Sequence, residues 1–139
     1  MYILSNNTTR VFGLIVGFII FVSASSFIFR KEGKWEAPKE ADNIKNPLQD
    51  SSIATADGKK LYTKMCVICH GNKGKGDGVA GMALKPRPTN LISSDVQQQT
   101  DGAIYWKITE GRAPMAAYKA SLSDEQRWQL VNYIRQLIK

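Results

Sequence analysis

The chain has 139 residues and carries 19 Lys and Arg against 12 Asp and Glu, which gives a formal net charge of +7 at pH 7. This length allows one small domain and additional segments. A basic chain suits nucleic acid, an acidic membrane surface or an acidic protein as a partner. Nucleic-acid binding is not expected, because no motif for it is present and the basic residues are scattered singly.

The first predicted element is an uncharged apolar stretch from Val11 to Phe29. As a helix it would rise about 28 Å, which is enough to cross the hydrocarbon core of a bilayer. Residues 1–30 are therefore predicted to form a transmembrane anchor, or else a signal peptide cleaved near Ala24. The apolar run continues past Ala24 through Phe27, and this favours an anchor that is not cleaved.

Residues 31–54 are polar, contain Pro38 and Pro47, and show no apolar periodicity. They are predicted to form a flexible polar tether, with Trp35 at the lipid–water interface. Residues 55–139 remain as the predicted soluble domain. A domain of this size buries little core of its own, so a bound group at its centre would add to its stability.

The soluble domain is predicted to be all-α, because no convincing alternating strand appears in it. Its first helix runs from about Ala56 to Cys69, with Thr55 as the cap. A glycine-rich loop, "GNKGKGDGVAG", follows this helix.

Two further helices complete the predicted domain. One runs from about Asp101 to Glu110, is capped by Thr100 or Asp101, and ends at Gly111. The other begins at Ser123, where "SDEQ" forms a capping box and an apolar face follows.

The stretch "CVICH" contains both cysteines and the only histidine of the chain, Cys66, Cys69 and His70. A closed zinc site needs four ligands, so these residues would require a carboxylate from elsewhere. A thioredoxin-like redox pair needs neither the histidine nor an all-helical context. The C-x-x-C-H spacing instead predicts covalent attachment of haem c through both thiols, with His70 as an axial iron ligand. One such motif predicts one haem.

A six-coordinate haem iron needs a second axial ligand, and methionine sulfur is the usual alternative to a second histidine. Met115 is the leading candidate, because it lies in the irregular stretch "GRAPMAAY" between two helices. Met82, in the loop after the motif, is the alternative. Met1 is terminal, and Met65 lies on the motif's own helix, where it would not reach the opposite haem face.

Several segments together carry a resemblance to a known family. These are "GKKLYTKMCVICHG", "GKGDG", "LKPRPTNL", "DGAIYWKITEGR", "PM" and "RWQLVNYIRQL". From Thr55 to Leu137 the chain resembles a class I cytochrome c domain. The resemblance implies a small all-α fold of three to five helices around one haem, following the N-terminal transmembrane helix. It also implies that the first and last helices cross, with Gly58 and Tyr62 close to Leu130 and Tyr133.

The resemblance also implies further site residues. A carbonyl of the proline segment, at Pro86 or Pro88, would accept the Nδ1 proton of His70. Three residues are candidates for bonds to the haem propionates, namely Arg87, Tyr105 and Trp106. A solvated arginine and two core aromatic residues are the alternative interpretation. Many family members have a proline after the ligand methionine, whereas this chain has Ala116 there and Pro114 before it.

An iron closed by His70 and Met115 has no open coordination position, so the sequence predicts a single-electron carrier and not an enzyme. The leading hypothesis is a membrane-tethered carrier of a respiratory chain. Its donor would be a quinol-oxidising complex or a dehydrogenase, and its acceptor a terminal oxidase or reductase. One alternative is a haem subunit fixed within a larger respiratory complex, and another is an open-iron peroxidase or gas sensor.

Haem c attachment places the domain on the periplasmic side of a cytoplasmic membrane, with a single pass through it. The flanking charge argues the other way, because Arg30, Lys31 and further lysines follow the apolar segment while Arg10 precedes it. Domains are exported despite flanking charge, so the haem chemistry decides the predicted orientation.

Overall fold

The computed structural model describes residues 33–138. The chain separates into two compact units, Met1–Lys34 and Trp35–Lys139. The predicted anchor, residues 1–30, lies outside the described residues. Across residues 33–138, no helix combines the length and the apolar character that crossing a membrane requires.

The described residues fold as helices joined by turns. There are five α-helices and two short 3₁₀ helices, Lys39–Asn43 and Gly81–Ala83. The α-helices are α1 (Ser52–Met65), α2 (Val67–His70), α3 (Ser94–Gln97), α4 (Asp101–Glu110) and α5 (Asp124–Gln136). Between residues 33 and 138 the β-type pairing is an isolated bridge from Arg112 to Met115. The predicted all-α class is confirmed for this part of the chain.

Helix α1 differs from its predicted bounds at both ends. Ser51 is the N-cap, because its side chain accepts a hydrogen bond from the Ala54 N–H at 3.2 Å. The predicted cap, Thr55, lies inside the helix, where its hydroxyl donates to the Ser51 carbonyl at 2.9 Å. At the other end α1 finishes at Met65, and Cys66, with a φ of −112°, is its C-cap. The motif is therefore carried by a separate one-turn helix, α2.

Helices α4 and α5 begin and end close to the positions that their capping signals predict. The Thr100 side chain accepts from the Ala103 N–H at 3.1 Å, and Gly111, with a φ of 62°, ends α4. Both halves of the capping box at Ser123 are formed, since Ser123 and Gln126 each accept from the other's backbone N–H. These local signals act within a few residues, so the sequence alone was sufficient to place them.

The pairing of α1 with α5 is the most extensive helix contact of the fold. At the crossing the backbones nearly touch, because a Cβ atom built on Gly58 would lie 1.9 Å from the Gln129 carbonyl oxygen. One turn further along α1, the Tyr62 and Tyr133 rings pack with centroids 5.1 Å apart. The predicted crossing of the first and last helices is confirmed. Tyr62 and Leu130 are both 1% exposed and belong to the core.

Residues 35–48 lie against the helices, and this differs from the predicted tether of residues 31–54. We call residues 35–48 the strap. Ala41, in its 3₁₀ helix, is 1% exposed. The strap backbone passes so close to α4 that a Cβ atom on Gly102 would lie 2.0 Å from the Ala41 carbonyl oxygen.

Hydrogen bonds from polar side chains hold the strap on the helices. The sequence of the strap therefore shows no apolar periodicity that would predict its packing. The Asn46 amide donates to Asp101 Oδ2 and to Asn132 Oδ1, each at 2.8 Å. The Asn132 amide in turn donates to the Leu48 carbonyl at 2.6 Å. These bonds join positions that are far apart in sequence, so no local pattern reveals them.

The close approach at Gly58 predicts that Gly58→Ala destabilises the protein. The added methyl group would meet backbone atoms of α5. Backbone atoms cannot rotate away as a side chain can, so the helices must separate. We expect a loss of about 2 kcal/mol or more in the free energy of unfolding, measured by denaturant titration. Gly33→Ala is the control, since a Cβ atom there would meet nothing within 4 Å. Equal stability of the two variants would contradict the close crossing.

Candidate functional site

The two thiols and the imidazole occupy the single turn of α2 and the residue before it. Cys66 is the N-cap of α2 and His70 its last residue. The His70 N–H donates to the Cys66 carbonyl at 2.8 Å, which closes the turn between the first and last residues of the motif. Both cysteines are half-buried. One hydrogen-bonded turn therefore carries both thiols and the imidazole.

The glycine-rich loop folds back over α2 and holds it. The Gly76 N–H donates to the His70 carbonyl at 2.9 Å, and the Gly78 N–H donates to the Cys69 carbonyl at 3.2 Å. The Ala80 N–H donates to the Ile68 carbonyl at 2.9 Å. Carbonyls at the end of a helix have no partner within the helix, and here the loop supplies those partners.

Tyr62 ties the motif to the core of the domain. Its hydroxyl donates to the Gly71 carbonyl at 2.8 Å, just after His70. The ring is 1% exposed and lies at the crossing of α1 with α5. Burial raises the pKa of Tyr62 well above its usual range, so the hydroxyl remains a donor at any ordinary pH. The position of His70 thus depends on the pairing of the two long helices.

The motif opens onto a cavity of about 300 Å³. Its lining is mainly apolar and comes from the strap, the end of α1, α2, the proline segment and the turn after α4. The lining residues are Trp35, Met65, Cys66, Ile68, Cys69, His70, Leu84, Pro86, Arg87, Pro88, Thr89, Arg112, Ala113, Pro114, Met115, Ala116 and Tyr118. Both thiols, the imidazole and the Met115 thioether therefore meet at one cavity.

The His70 ring is oriented by a backbone carbonyl, but not by the predicted one. His70 Nδ1 lies 3.3 Å from the Thr89 carbonyl oxygen, one residue beyond Pro88. The Pro88 carbonyl instead faces the glycine-rich loop, where a Cβ atom on Gly76 would lie 2.3 Å from it. Pro86 and Pro88 both line the cavity. Burial lowers the pKa of His70, and the hydrogen bond to Thr89 opposes that shift.

Met115 is carried by a tight turn after α4. The Arg112 N–H donates to the Met115 carbonyl at 3.1 Å, and the Met115 N–H donates to the Arg112 carbonyl at 2.8 Å. The Ala113–Pro114 peptide bond within the turn is cis. The alternative methionine, Met82, is 57% exposed and lies outside the cavity lining. Of the two candidates, the fold brings Met115 to the motif.

The three candidates for propionate binding separate in the structure. Arg87 lines the cavity, whereas Tyr105 and Trp106 do not. Tyr105 faces α5 instead, where its ring stacks on Trp128 with centroids 4.0 Å apart and the Arg127 guanidinium lies 5.0 Å above it. For Tyr105, the alternative interpretation as a core aromatic agrees with this placement.

Several cavity residues were not found from the sequence, and three of them have a large polar or aromatic side chain. These three are Trp35, Arg112 and Tyr118. Trp35 belongs to the strap, and its ring lies under the Arg112 guanidinium at 5.1 Å and the Lys107 ammonium at 5.6 Å. Gly111 ends α4, and this glycine was the sequence signal that a turn begins at Arg112.

The thiol chemistry opposes a thioredoxin-like pair. Burial, followed by the neighbouring Cys69, raises the pKa of the Cys66 thiol to about 12. Redox-active cysteines instead have lowered pKa values that populate the thiolate. Among residues 33–138, no three His, Cys, Asp or Glu side chains form a group suited to a metal ion.

Comparison with known proteins identifies the family. Residues 53–134 match the family model described as "Cytochrome C oxidase, cbb3-type, subunit III". The chain belongs to this family. The match covers the helical domain from the start of α1 into α5, and it makes the domain a cytochrome c domain, which carries covalently bound haem c and transfers electrons. No curated protein matches the chain.

A solved structure resembles the cytochrome c domain. It belongs to the reducing HAO-like protein complex of Kuenenia stuttgartiensis, with a TM-score of 0.58 and 25% sequence identity. The match covers 69% of this chain and 50% of that chain. The present chain therefore spans about half the length of the protein that it resembles.

The residues of the cavity fit a covalently attached haem. Thioether attachment needs two thiols in the C-x-x-C spacing, and both thiols border the cavity. Axial ligation needs a nitrogen or sulfur donor on each face, and the His70 imidazole and Met115 thioether are donors of those kinds. The apolar lining suits a flat hydrophobic ring. Arg87 and Arg112 add positive charge that suits its carboxylates.

The Tyr62 hydrogen bond predicts that Tyr62→Phe destabilises the folded protein at neutral pH. The change leaves the Gly71 carbonyl without its donor, and we expect a loss of about 1 to 2 kcal/mol. Because folding raises the pKa of Tyr62, the wild-type hydroxyl also opposes folding once pH exceeds about 10, where the unfolded tyrosine ionises. The difference between the two proteins should therefore shrink above that pH.

Denaturant titrations at pH 7 and at alkaline pH measure this difference. Tyr133→Phe is the matched control, since it removes a hydroxyl from the neighbouring ring and leaves the Tyr62–Gly71 bond in place. A gap between wild type and Tyr62→Phe that widens with rising pH would contradict the assignment.

Proposed function

We propose that this chain is a single-electron carrier of a membrane respiratory chain, with one haem c. In this proposal Cys66 and Cys69 each form a thioether bond to one haem vinyl group, and His70 and Met115 are the two axial iron ligands. The observation that carries the proposal is the lining of the cavity, where both cysteines, His70 and Met115 meet. The C-x-x-C-H motif occurs once in the chain, and this supports one haem.

When bound, haem iron supplies one-electron chemistry, and a methionine ligand raises its reduction potential. The residues of the chain prepare the site for that chemistry. Thr89 holds the His70 ring through its Nδ1 atom, which fixes the tautomer that leaves Nε2 free to ligate. With the haem bound, the mainly apolar lining would limit its contact with water, which would further favour the less charged ferrous state. With His70 and Met115 as its two ligands, the iron would keep no open position for a substrate, so we propose no enzymatic activity.

We further propose that the apolar segment Val11–Phe29 anchors the protein in the cytoplasmic membrane by a single pass. The haem domain would lie on the periplasmic side. Its electron donor would be a quinol-oxidising complex or a dehydrogenase, and its acceptor a terminal oxidase or reductase. An anchor confines the domain near such membrane partners and raises their effective concentration.

A second candidate function is that of a haem subunit fixed within a larger complex. Two observations favour it, since the family description names a subunit and the similar solved structure comes from a protein complex. Extraction in mild detergent followed by size determination separates the two candidates. A free carrier would migrate as a single chain in its micelle, whereas a subunit would migrate with its partners, which mass spectrometry would then name.

Covalent attachment predicts that acid and acetone leave the haem on the polypeptide. A thioether bond survives denaturation, whereas axial ligation alone does not. The double variant Cys66→Ala/Cys69→Ala provides the control, because its haem should pass into the acetone layer if any haem is bound. Extraction of haem from the wild-type protein would contradict covalent attachment.

Axial ligation by Met115 predicts that Met115→Ala lowers the reduction potential by on the order of 0.1 V, since thioether sulfur favours ferrous iron. The ferric spectrum should change to that of an open iron or of a nitrogen-ligated iron. Met82→Ala is the matched control, because Met82 is exposed and outside the cavity. A changed potential in Met82→Ala with an unchanged one in Met115→Ala would transfer the ligand role to Met82.

The open-iron alternative has its own optical test. A peroxidase or gas sensor would show a high-spin ferric spectrum in the wild-type protein. The proposed axial pair predicts a low-spin spectrum with the charge-transfer band of sulfur-ligated ferric haem. The convergence of Met115 on the motif's cavity favours the second outcome.

A further inference from the structure

The strap brings an aromatic residue to the cavity from outside the sequence range that matches the family. Trp35 lines the cavity, although the family match begins at residue 53. Its ring is half-buried, and two cations lie close to it, Arg112 at 5.1 Å and Lys107 at 5.6 Å. A cation near the face of an indole is attracted by the ring quadrupole. Trp35 is therefore held at the cavity by charge as well as by packing.

One of those two cations belongs to the turn that carries Met115. Arg112 and Met115 exchange two backbone hydrogen bonds, at 3.1 and 2.8 Å, across the two intervening residues. Met115 is half-buried in this turn, whereas Arg112, Ala113, Pro114 and Ala116 are exposed. A force that holds Arg112 in place therefore also restrains the backbone of Met115.

The other end of the strap is fixed to the helices, so Trp35 is not a loose group. Asn46 bonds to both Asp101 and Asn132 at 2.8 Å. The Thr100 hydroxyl donates to Asp42 Oδ1 at 2.7 Å, which joins the strap to the N-terminus of α4. These bonds position the strap on α4, and the Arg112–Met115 turn follows the C-terminus of the same helix.

We propose that Trp35 is a positioning residue for the axial ligand Met115. Through its contact with Arg112, the indole restrains the Arg112–Met115 turn and keeps the thioether at the cavity. The inference rests on the proposed ligation by Met115. It adds a residue of the N-terminal segment to the set that decides how firmly the sixth coordination position is closed.

This restraint has a measurable consequence, because an added ligand must displace Met115 before it binds the iron. The observed affinity for such a ligand is proportional to the fraction of molecules in which Met115 has left the iron. Removal of the indole loosens the turn, so the closed state is less favoured. Trp35→Ala should therefore bind imidazole about fivefold more tightly than the wild type in the ferric holoprotein. The charge-transfer band of sulfur-ligated ferric haem should weaken.

Two further variants separate positioning from general stability. Trp35→Phe keeps an aromatic face for the two cations and should bind imidazole within about twofold of the wild type. Trp106→Ala removes a half-buried tryptophan from α4 that lies outside the cavity lining. It should lower the denaturation midpoint and leave the imidazole affinity unchanged.

The experiment is an optical imidazole titration of the ferric full-length holoproteins. If Trp35→Ala titrates like a wild type that shows the sulfur-ligated band, the positioning role is wrong and the Met115 ligation stands. If Trp106→Ala gains affinity as much as Trp35→Ala does, general loosening explains the effect and the positioning role is again overturned. If the wild type lacks the band, the proposed ligation itself fails.

Discussion

The crossing of α1 with α5 at Gly58 is the contact on which the rest of the domain depends. Only a residue without a side chain allows the two backbones to meet there, since a Cβ atom would lie 1.9 Å from the Gln129 carbonyl oxygen. This approach buries Tyr62, whose hydroxyl then holds the Gly71 carbonyl beside His70. The orientation of the motif therefore depends on the packing of the core.

From this crossing the cavity is assembled by segments with little regular structure. The glycine-rich loop satisfies the carbonyls of α2, and the Thr89 carbonyl orients the His70 ring. The turn after α4 brings Met115 to the same cavity, although Met115 lies far from the motif in sequence. Loops placed by a rigid helical scaffold commonly carry binding groups, because their backbones are free to take the required shape. Burial raises the pKa of the Cys66 thiol, which is the opposite of the lowered pKa typical of redox-active cysteines.

The strap changes how the domain is delimited. Its contacts with α4 and α5 make residues 35–48 part of the cytochrome c domain, although the family match begins only at residue 53. In a domain this small the core alone supplies little stability, so we expect the Asn46 hydrogen bonds to add to it. At its other end the strap places Trp35 beside the Lys107 and Arg112 cations. A segment between the apolar stretch and the first helix thereby reaches the candidate site.

The sequence by itself determined the features that act over a few residues. The spacing in "CVICH" identified the chemistry, and capping residues such as Thr100 and Ser123 located α4 and α5. Only the tertiary structure decided which groups from distant segments share the cavity, as Trp35, Thr89 and Arg112 do. It also turned Tyr105 toward Trp128 and away from the cavity. The physical reason is range, because a cap or a covalent motif is set by its neighbours in sequence. The facing of a helix and the path of the strap are set by contacts between residues tens of positions apart.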